Sequence, residues 1–136
     1  MNSLISARKM HFSEANEILR GLSDAYHSSS SLNLKKGVLL ALAASAIGFG
    51  REARHFLTDL LGPILHATQE SDSRVRYFAC ESLYNVTKVV RTQLIPEHFV
   101  PLFNAISILT SDHDQNVRSG AELLDRLLKG WFSHKK

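Results

Sequence analysis

The sequence holds a single cysteine, Cys80, among 136 residues. One thiol excludes an internal disulfide and points to a reducing compartment such as the cytosol. Long apolar runs are missing as well. The most apolar stretch, Val38 to Phe49, covers about a dozen residues, whereas a membrane-spanning helix needs roughly 20, so it reads as a buried helix. The opening MNSLISARKMHFSEANEIL spaces its apolar residues and interrupts them with charge, unlike a secretion signal. Lipidation motifs are absent too: Asn2 stands where myristoylation needs glycine, and the end reads SHKK rather than a prenylation box. The expectation is a soluble, cytoplasmic chain.

Charge of one sign is not concentrated either. Sixteen basic and 13 acidic residues give a formal net charge of +3, mildly basic, whereas nucleic-acid binders usually show a denser cluster on one face; an acidic partner or an anionic membrane is weakly indicated and no nucleic acid is expected. Catalytic and metal-binding constellations are also lacking. Seven histidines, at 11, 27, 55, 66, 98, 113 and 134, form no H-x-x-x-H pair, and no cysteine cluster accompanies them. His55 and His66 lie eleven residues apart and read as surface residues. Cys80, beside the core position Ala79, reads as a buried, inert thiol. Gly48-Phe49-Gly50 has no preceding strand and no following lysine, so it is a helix stop rather than a phosphate loop. No enzyme, cofactor or metal is expected.

What is present is helical periodicity from end to end. Phe12, Ala15, Ile18, Leu19, Leu22 and Tyr26 recur at steps of three and four, and a serine run, Ser28 to Ser31, ends that helix. A second helix runs from Leu32 to Phe49. A third carries Phe56, Leu57, Leu60, Leu61, Ile64 and Leu65, with a kink expected at Gly62-Pro63. Asp72 and Ser73 supply cap chemistry for a fourth helix, with Val75, Ala79, Leu83, Val86 and Val90. Pro96 suits the first turn of a fifth, with Phe99, Leu102, Phe103, Ile106 and Leu109. Val117, Ala121, Leu124 and Leu128 define a sixth, and no segment alternates like a half-buried strand.

The helices repeat. Lys36, Arg76 and Arg118 are separated by 40 and 42 residues, each followed at fixed steps by Leu39, Ala79 and Ala121 and then by Ala46, Val86 and Leu128. The later two copies share D-x-x-V-R, as Asp72-Ser73-Arg74-Val75-Arg76 and Asp114-Gln115-Asn116-Val117-Arg118. A two-helix unit of about 40 residues fits HEAT or armadillo repeats. In that pattern the aspartate caps the helix and the small residues allow close helix approach. The expected fold is therefore all-α: one domain, a right-handed α-solenoid of about three HEAT-like hairpins at about 3–50, 51–92 and 96–130, with a divergent tail at 131–136. Asp72, Arg76, Asp114 and Arg118 are expected to form an inter-repeat ladder in which Asp72 meets Arg118. Lys36 should find an acceptor near its own end.

Beyond the period, three stretches carry a more specific likeness. DSRVRYFACESLYNVTKVVR (Asp72 to Arg91), SGAELLDRLLK (Ser119 to Lys129) and KKGVLLALAASAIGFG (Lys35 to Gly50) resemble the Vac-fourteen family in order and spacing. That resemblance implies a non-catalytic scaffold of the PIKfyve-type lipid kinase complex, which makes phosphatidylinositol 3,5-bisphosphate, peripheral on endosomal and vacuolar membranes. It further implies that the amino-terminal repeats serve the kinase, while phosphatase contacts and self-assembly belong to a carboxy-terminal part missing here. Gly130 to Lys136 depart from the family, as expected of a truncated or alternatively ended product. Lys35, Lys36, Arg51, Arg54, Arg74, Lys88 and Arg91 are the candidate basic contact surface, for an acidic face of the kinase or an anionic membrane. The alternative class is a general HEAT or armadillo adaptor for extended peptides, which would need periodic Asn and Trp along a groove; Asn85 and Trp131 are not periodic.

Overall fold

A computed structural model describes residues 2–134, with side chains described for residues 12–130. Six α-helices follow one another: α1 (Asn2–Ser28), α2 (Leu32–Phe49), α3 (Leu57–Ala67), α4 (Ser73–Val90), α5 (Pro96–Leu109) and α6 (Gln115–His134). Two short 3-10 segments, Gly50–His55 and Arg91–Gln93, continue α2 and α4, and no strand occurs among the described residues.

Local chemistry sets the boundaries. Ser31, in extended backbone, accepts the Leu34 amide at 3.3 Å and starts α2. Gly50 ends that helix at φ 54°, a conformation costly for a residue with a Cβ, and its N–H returns to the Ala46 carbonyl. Asp72 accepts the Arg74 amide at 2.8 Å, and Asp114 accepts those of Asn116 and Val117 at 2.8 and 3.1 Å. Pro96 opens α5, where its missing donor would be unpaired anyway. The helix assigned as α3 runs through Pro63, whose side chain is buried.

The helices stack as two rows. α1, α3 and α5 form one; α2, α4 and α6 form the other, and each odd helix packs on the even helix that follows it. The even helices run parallel, because α2 and α4 meet in ascending register: Lys36 with Phe78, Leu39 with Ser82, Gly50 with Gln93. This is an all-α, solenoid-like stack. Its core lies between the rows, where Leu19, Tyr26, Leu39, Leu42, Leu60, Ile64, Leu83, Leu102, Leu124 and Leu128 are fully buried. Each such side chain contributes about 1.5–3 kcal/mol through the apolar area it removes from water. Ile18, placed on the apolar face of α1 by its spacing, is instead 58% exposed.

The helical stretch from Leu32 to His55 is apolar and long enough to cross a membrane by length and composition, longer than the dozen residues counted from sequence. In the stack it packs on α1, α3 and α4 through Val38, Leu39, Leu42, Ala43 and Ala46 and leaves its other face exposed. Close approach of α4 and α6 depends on a small residue: a Cβ at Gly120 would stand 3.1 Å from that of Cys80.

Candidate functional site

The fourth residue of each even helix is a cation: Lys35, Arg76 and Arg118. The first two reach forward to the next loop, and the last two clamp the loop before their own helix. Arg76 reaches forward with Nε and Nη2 to the Asp112 carboxylate at 2.8 and 3.0 Å. Its Nη1 donates to the carbonyls of Glu70 and Ser71, in the loop before its own helix. Lys35 makes the same forward step one repeat earlier, donating to Glu70 Oε1 at 3.0 Å. Arg118 repeats the local clamp, with Nη1 donating to the carbonyls of Asp112 and His113 at 2.6 and 3.0 Å.

The ion pairs between successive even helices and the loops ahead of them join residues other than the expected ones. Asp72 does not meet Arg118; it is held by Arg74 at 2.9 Å and caps its own helix. Asp114 likewise caps α6. The carboxylates that bridge repeats are Glu70 and Asp112, each two residues before a capping aspartate. In the first repeat the bridging cation is Lys35 rather than Lys36, and the cap is Ser31 rather than position 32. Lys36 sits instead over the Phe78 ring at 4.6 Å. An acidic residue two positions before each D-x-x-V-R was the available signal for Glu70 and Asp112.

Electrostatics follow the contacts. The hydrogen bond from Lys35 holds the Glu70 carboxyl below its ordinary range, with the Tyr26 hydroxyl adding a second donor at 2.9 Å. The Arg76 fork does the same for Asp112. Burial, then Glu70, push the Tyr26 phenol up. Burial pushes the Cys80 thiol up to about 12, so the thiolate required of a nucleophile or ligand is absent at neutral pH.

The candidate basic surface divides between two edges of the stack. Lys35, Lys36 and Arg74 lie at the start of α2 and α4, interleaved with Glu70 and Asp72. Arg51, Arg54, Lys88 and Arg91 lie at the opposite edge, where α2 and α4 end. Arg51, Lys88 and Arg91 have no acidic partner among the described residues. Those cations also offset the negative ends of two helices.

Between the edges, the open face of the even helices exposes large apolar side chains: Leu40 at 48%, Ile47 at 62% and Leu123 at 52%, with Tyr77 at 38%. On the odd row a shallow polar groove of about 520 Å³ runs between α1 and α3, and a more apolar one of about 270 Å³, lined by Leu65, Pro101, Ala105, Ile108 and Leu109 with Thr68, Gln69 and Asn104, lies between α3 and α5. His55 packs on Phe12 and Phe56, whereas His66 packs on His27 and Tyr26, so the two do not share a site. No group of three or more metal-ligating residues occurs among the described residues.

Comparison with known proteins places this arrangement. The family described as "Vacuolar 14 Fab1-binding region" matches residues 33–130, the stack from the start of α2 into α6. Protein VAC14 homolog of Arabidopsis thaliana is 42% identical over 113 residues, covering 83% of this chain and 15% of the relative. Protein VAC14 homolog of Schizosaccharomyces pombe is 38% identical over 104 residues, 76% of this chain and 13% of the relative. Vacuole morphology and inheritance protein 14 of Saccharomyces cerevisiae is 34% identical over 114 residues, 83% of this chain and 12% of the relative. No solved structure matches. The chain spans only 12% to 15% of the length of these curated relatives. With the matched region covering most of its length, the chain belongs to the Vac14 family.

Proposed function

We propose that this chain is a non-catalytic scaffold piece that binds a Fab1/PIKfyve-type lipid kinase. The observation that carries the reading is the extent of the match: the region named for Fab1 binding coincides with the helical stack from α2 to α6. A ladder-braced stack of helices offers a long, rigid surface, the property a scaffold requires and a catalytic pocket does not. Through the kinase, the chain would bear on phosphatidylinositol 3,5-bisphosphate synthesis and join endosomal or vacuolar membranes peripherally. The HEAT-type classification of the hairpins, and their boundaries near 50–51 and 92–96, belong to the same proposal.

The test is a pull-down of purified chain, verified as helical by circular dichroism, against purified kinase at low and moderate salt. Retention at moderate salt is expected, because a packed protein interface survives screening that removes loose charge pairing. Clean failure by a folded sample overturns the reading.

A further inference from the structure

We infer that the groove between α3 and α5 takes an extended, uncharged segment of the kinase, seated by an aliphatic side chain and held along its backbone by Gln69 and Asn104. This rests on the kinase-binding reading above. The two grooves of the odd row occupy equivalent places in successive repeats, yet their linings differ. The groove between α1 and α3 carries Arg20, Asp24, His27 and Asp59. None of the side chains lining the groove between α3 and α5 is charged. Its walls are Leu65 of α3 and Pro101, Ala105 and Ile108 of α5, with Ile108 69% exposed. The carboxylates that close the loops after these two helices, Glu70 and Asp112, are held by Lys35 and Arg76. An apolar lining is therefore a property of these residues and not of helix stacking in itself. The open face of the even helices, by contrast, mixes Leu40 and Leu123 with exposed Glu81 and Glu122.

The lining also defines the occupant. Its polar side chains are Thr68, Gln69 and Asn104. The Thr68 hydroxyl already donates to the Leu65 carbonyl at 2.6 Å. Gln69 and Asn104 are exposed, and neither side chain has a hydrogen-bond partner among the described residues. Each carboxamide offers N–H donors and a carbonyl acceptor, the complement of a peptide group. A charged segment would lose hydration here and gain no partner of opposite sign. A volume of about 270 Å³ admits one or two aliphatic side chains but not a helix, whose diameter is about 10 Å. An extended chain turns alternate side chains to opposite faces, so it can seat one in the groove while its backbone passes the two carboxamides.

The experiment measures binding of the full chain to purified kinase by calorimetry, in parallel for four proteins whose helicity is checked by circular dichroism. The wild type sets the reference, and its affinity should change less than about twofold between low and moderate salt, because no charge enters the contact. Ile108→Asp puts a charge on the groove at a position exposed enough to spare the fold, and should weaken binding at least about tenfold. Gln69→Ala with Asn104→Ala removes both carboxamides and should weaken binding about tenfold. Leu40→Glu with Leu123→Glu alters exposed apolar residues of the even helices and should leave binding unchanged. Short overlapping peptides covering the kinase are then probed with the wild type and with the Gln69/Asn104 variant. A peptide with an uncharged, aliphatic centre should be retained by the first and lost by the second.

A wild type that binds while the Ile108 and Gln69/Asn104 variants bind equally well overturns this groove and leaves the kinase reading standing. So does loss confined to the Leu40/Leu123 variant. Steep weakening with salt, or retention of charged peptides alone, overturns the uncharged occupant. If the groove variants lose the intact kinase and no peptide is retained, a folded surface fills the groove and the extended segment is wrong. A folded wild type that never binds the kinase brings down the kinase reading and this occupant together.

Discussion

Arg76 and Asp112 form a two-pronged ion pair, Nε to Oδ2 at 2.8 Å and Nη2 to Oδ1 at 3.0 Å, that joins successive repeats. Both side chains are largely buried, 15% and 9% exposed. The same guanidinium holds two carbonyls of the preceding loop, so one side chain fixes the spacing of three chain segments.

Removing either partner strands the other in a half-dry site. Arg76→Ala or Asp112→Ala should each cost about 2–4 kcal/mol, toward the range for breaking buried pairs. A double-mutant cycle by urea unfolding should give about 1–3 kcal/mol of coupling for Arg76 with Asp112 and close to zero for Asp72 with Arg118. Coupling in the second pair would contradict the ladder described here.

The contrast between those pairs shows what the sequence carries. D-x-x-V-R announced two helix starts correctly, because capping is local: the Asp72 and Asp114 side chains need only the amides two or three residues ahead. Which carboxylate the arginine finds is not local. It depends on how far the next loop is carried along the stack, and that distance is set by packing such as Cys80 against Gly120. The first repeat misled for another reason. Its apolar positions Leu39, Leu42 and Ala46 fit a register counted from Lys36, while the cap fell within a serine run where several residues could serve. The structure resolves the conflict with Ser31 and Lys35. The open face of the even helices left no periodic signature, since Leu40 and Leu123 are isolated apolar residues among Lys36, Glu81 and Glu122.

Acid should loosen the stack at its ladder. Glu70 and Asp112 have folded values held below their ordinary 4.5 and 3.8 by Lys35 and Arg76. Groups lowered in this way contribute stability in full above the unfolded value and lose it as pH falls through the folded one. Denaturation midpoints should therefore be level from pH 7 to about 5 and decline below that. A Glu70→Gln, Asp112→Asn double variant should start lower at pH 7 and decline less. An equal acid decline in that variant would assign the effect to other carboxylates.

Glycine replacements should separate open helix positions from the α4–α6 contact. A Cβ at Gly37 meets nothing within 4 Å, so Gly37→Ala should stabilise by about 0.5–1 kcal/mol through helix propensity alone. At Gly120 the same gain is opposed by the Cys80 Cβ at 3.1 Å, a backbone-anchored atom that moves only if a helix moves. Gly120→Ala should be neutral or destabilising, and thermal unfolding of both variants decides it. A matching gain at Gly120 would mean that α4 and α6 can separate freely.

Cys80 offers a probe of how cooperatively the stack opens. Its thiol is fully buried between α4 and α6, near the Val117 carbonyl, and burial pushes it up to about 12. Two barriers then oppose modification at pH 7.5: no reagent reaches the sulfur, and almost none of it is thiolate. Labelling by a thiol reagent should track opening of the α4–α6 contact. If the three hairpins unfold as one unit, the labelling free energy should equal that from urea unfolding. If α5 and α6 detach first, labelling should be faster than global unfolding predicts. Arg76→Ala should then accelerate it selectively, because the Asp112 bridge is the polar tie nearest that contact. Rapid labelling of the untreated wild type, with urea stability intact, would show that the α4–α6 contact opens independently of the rest of the stack.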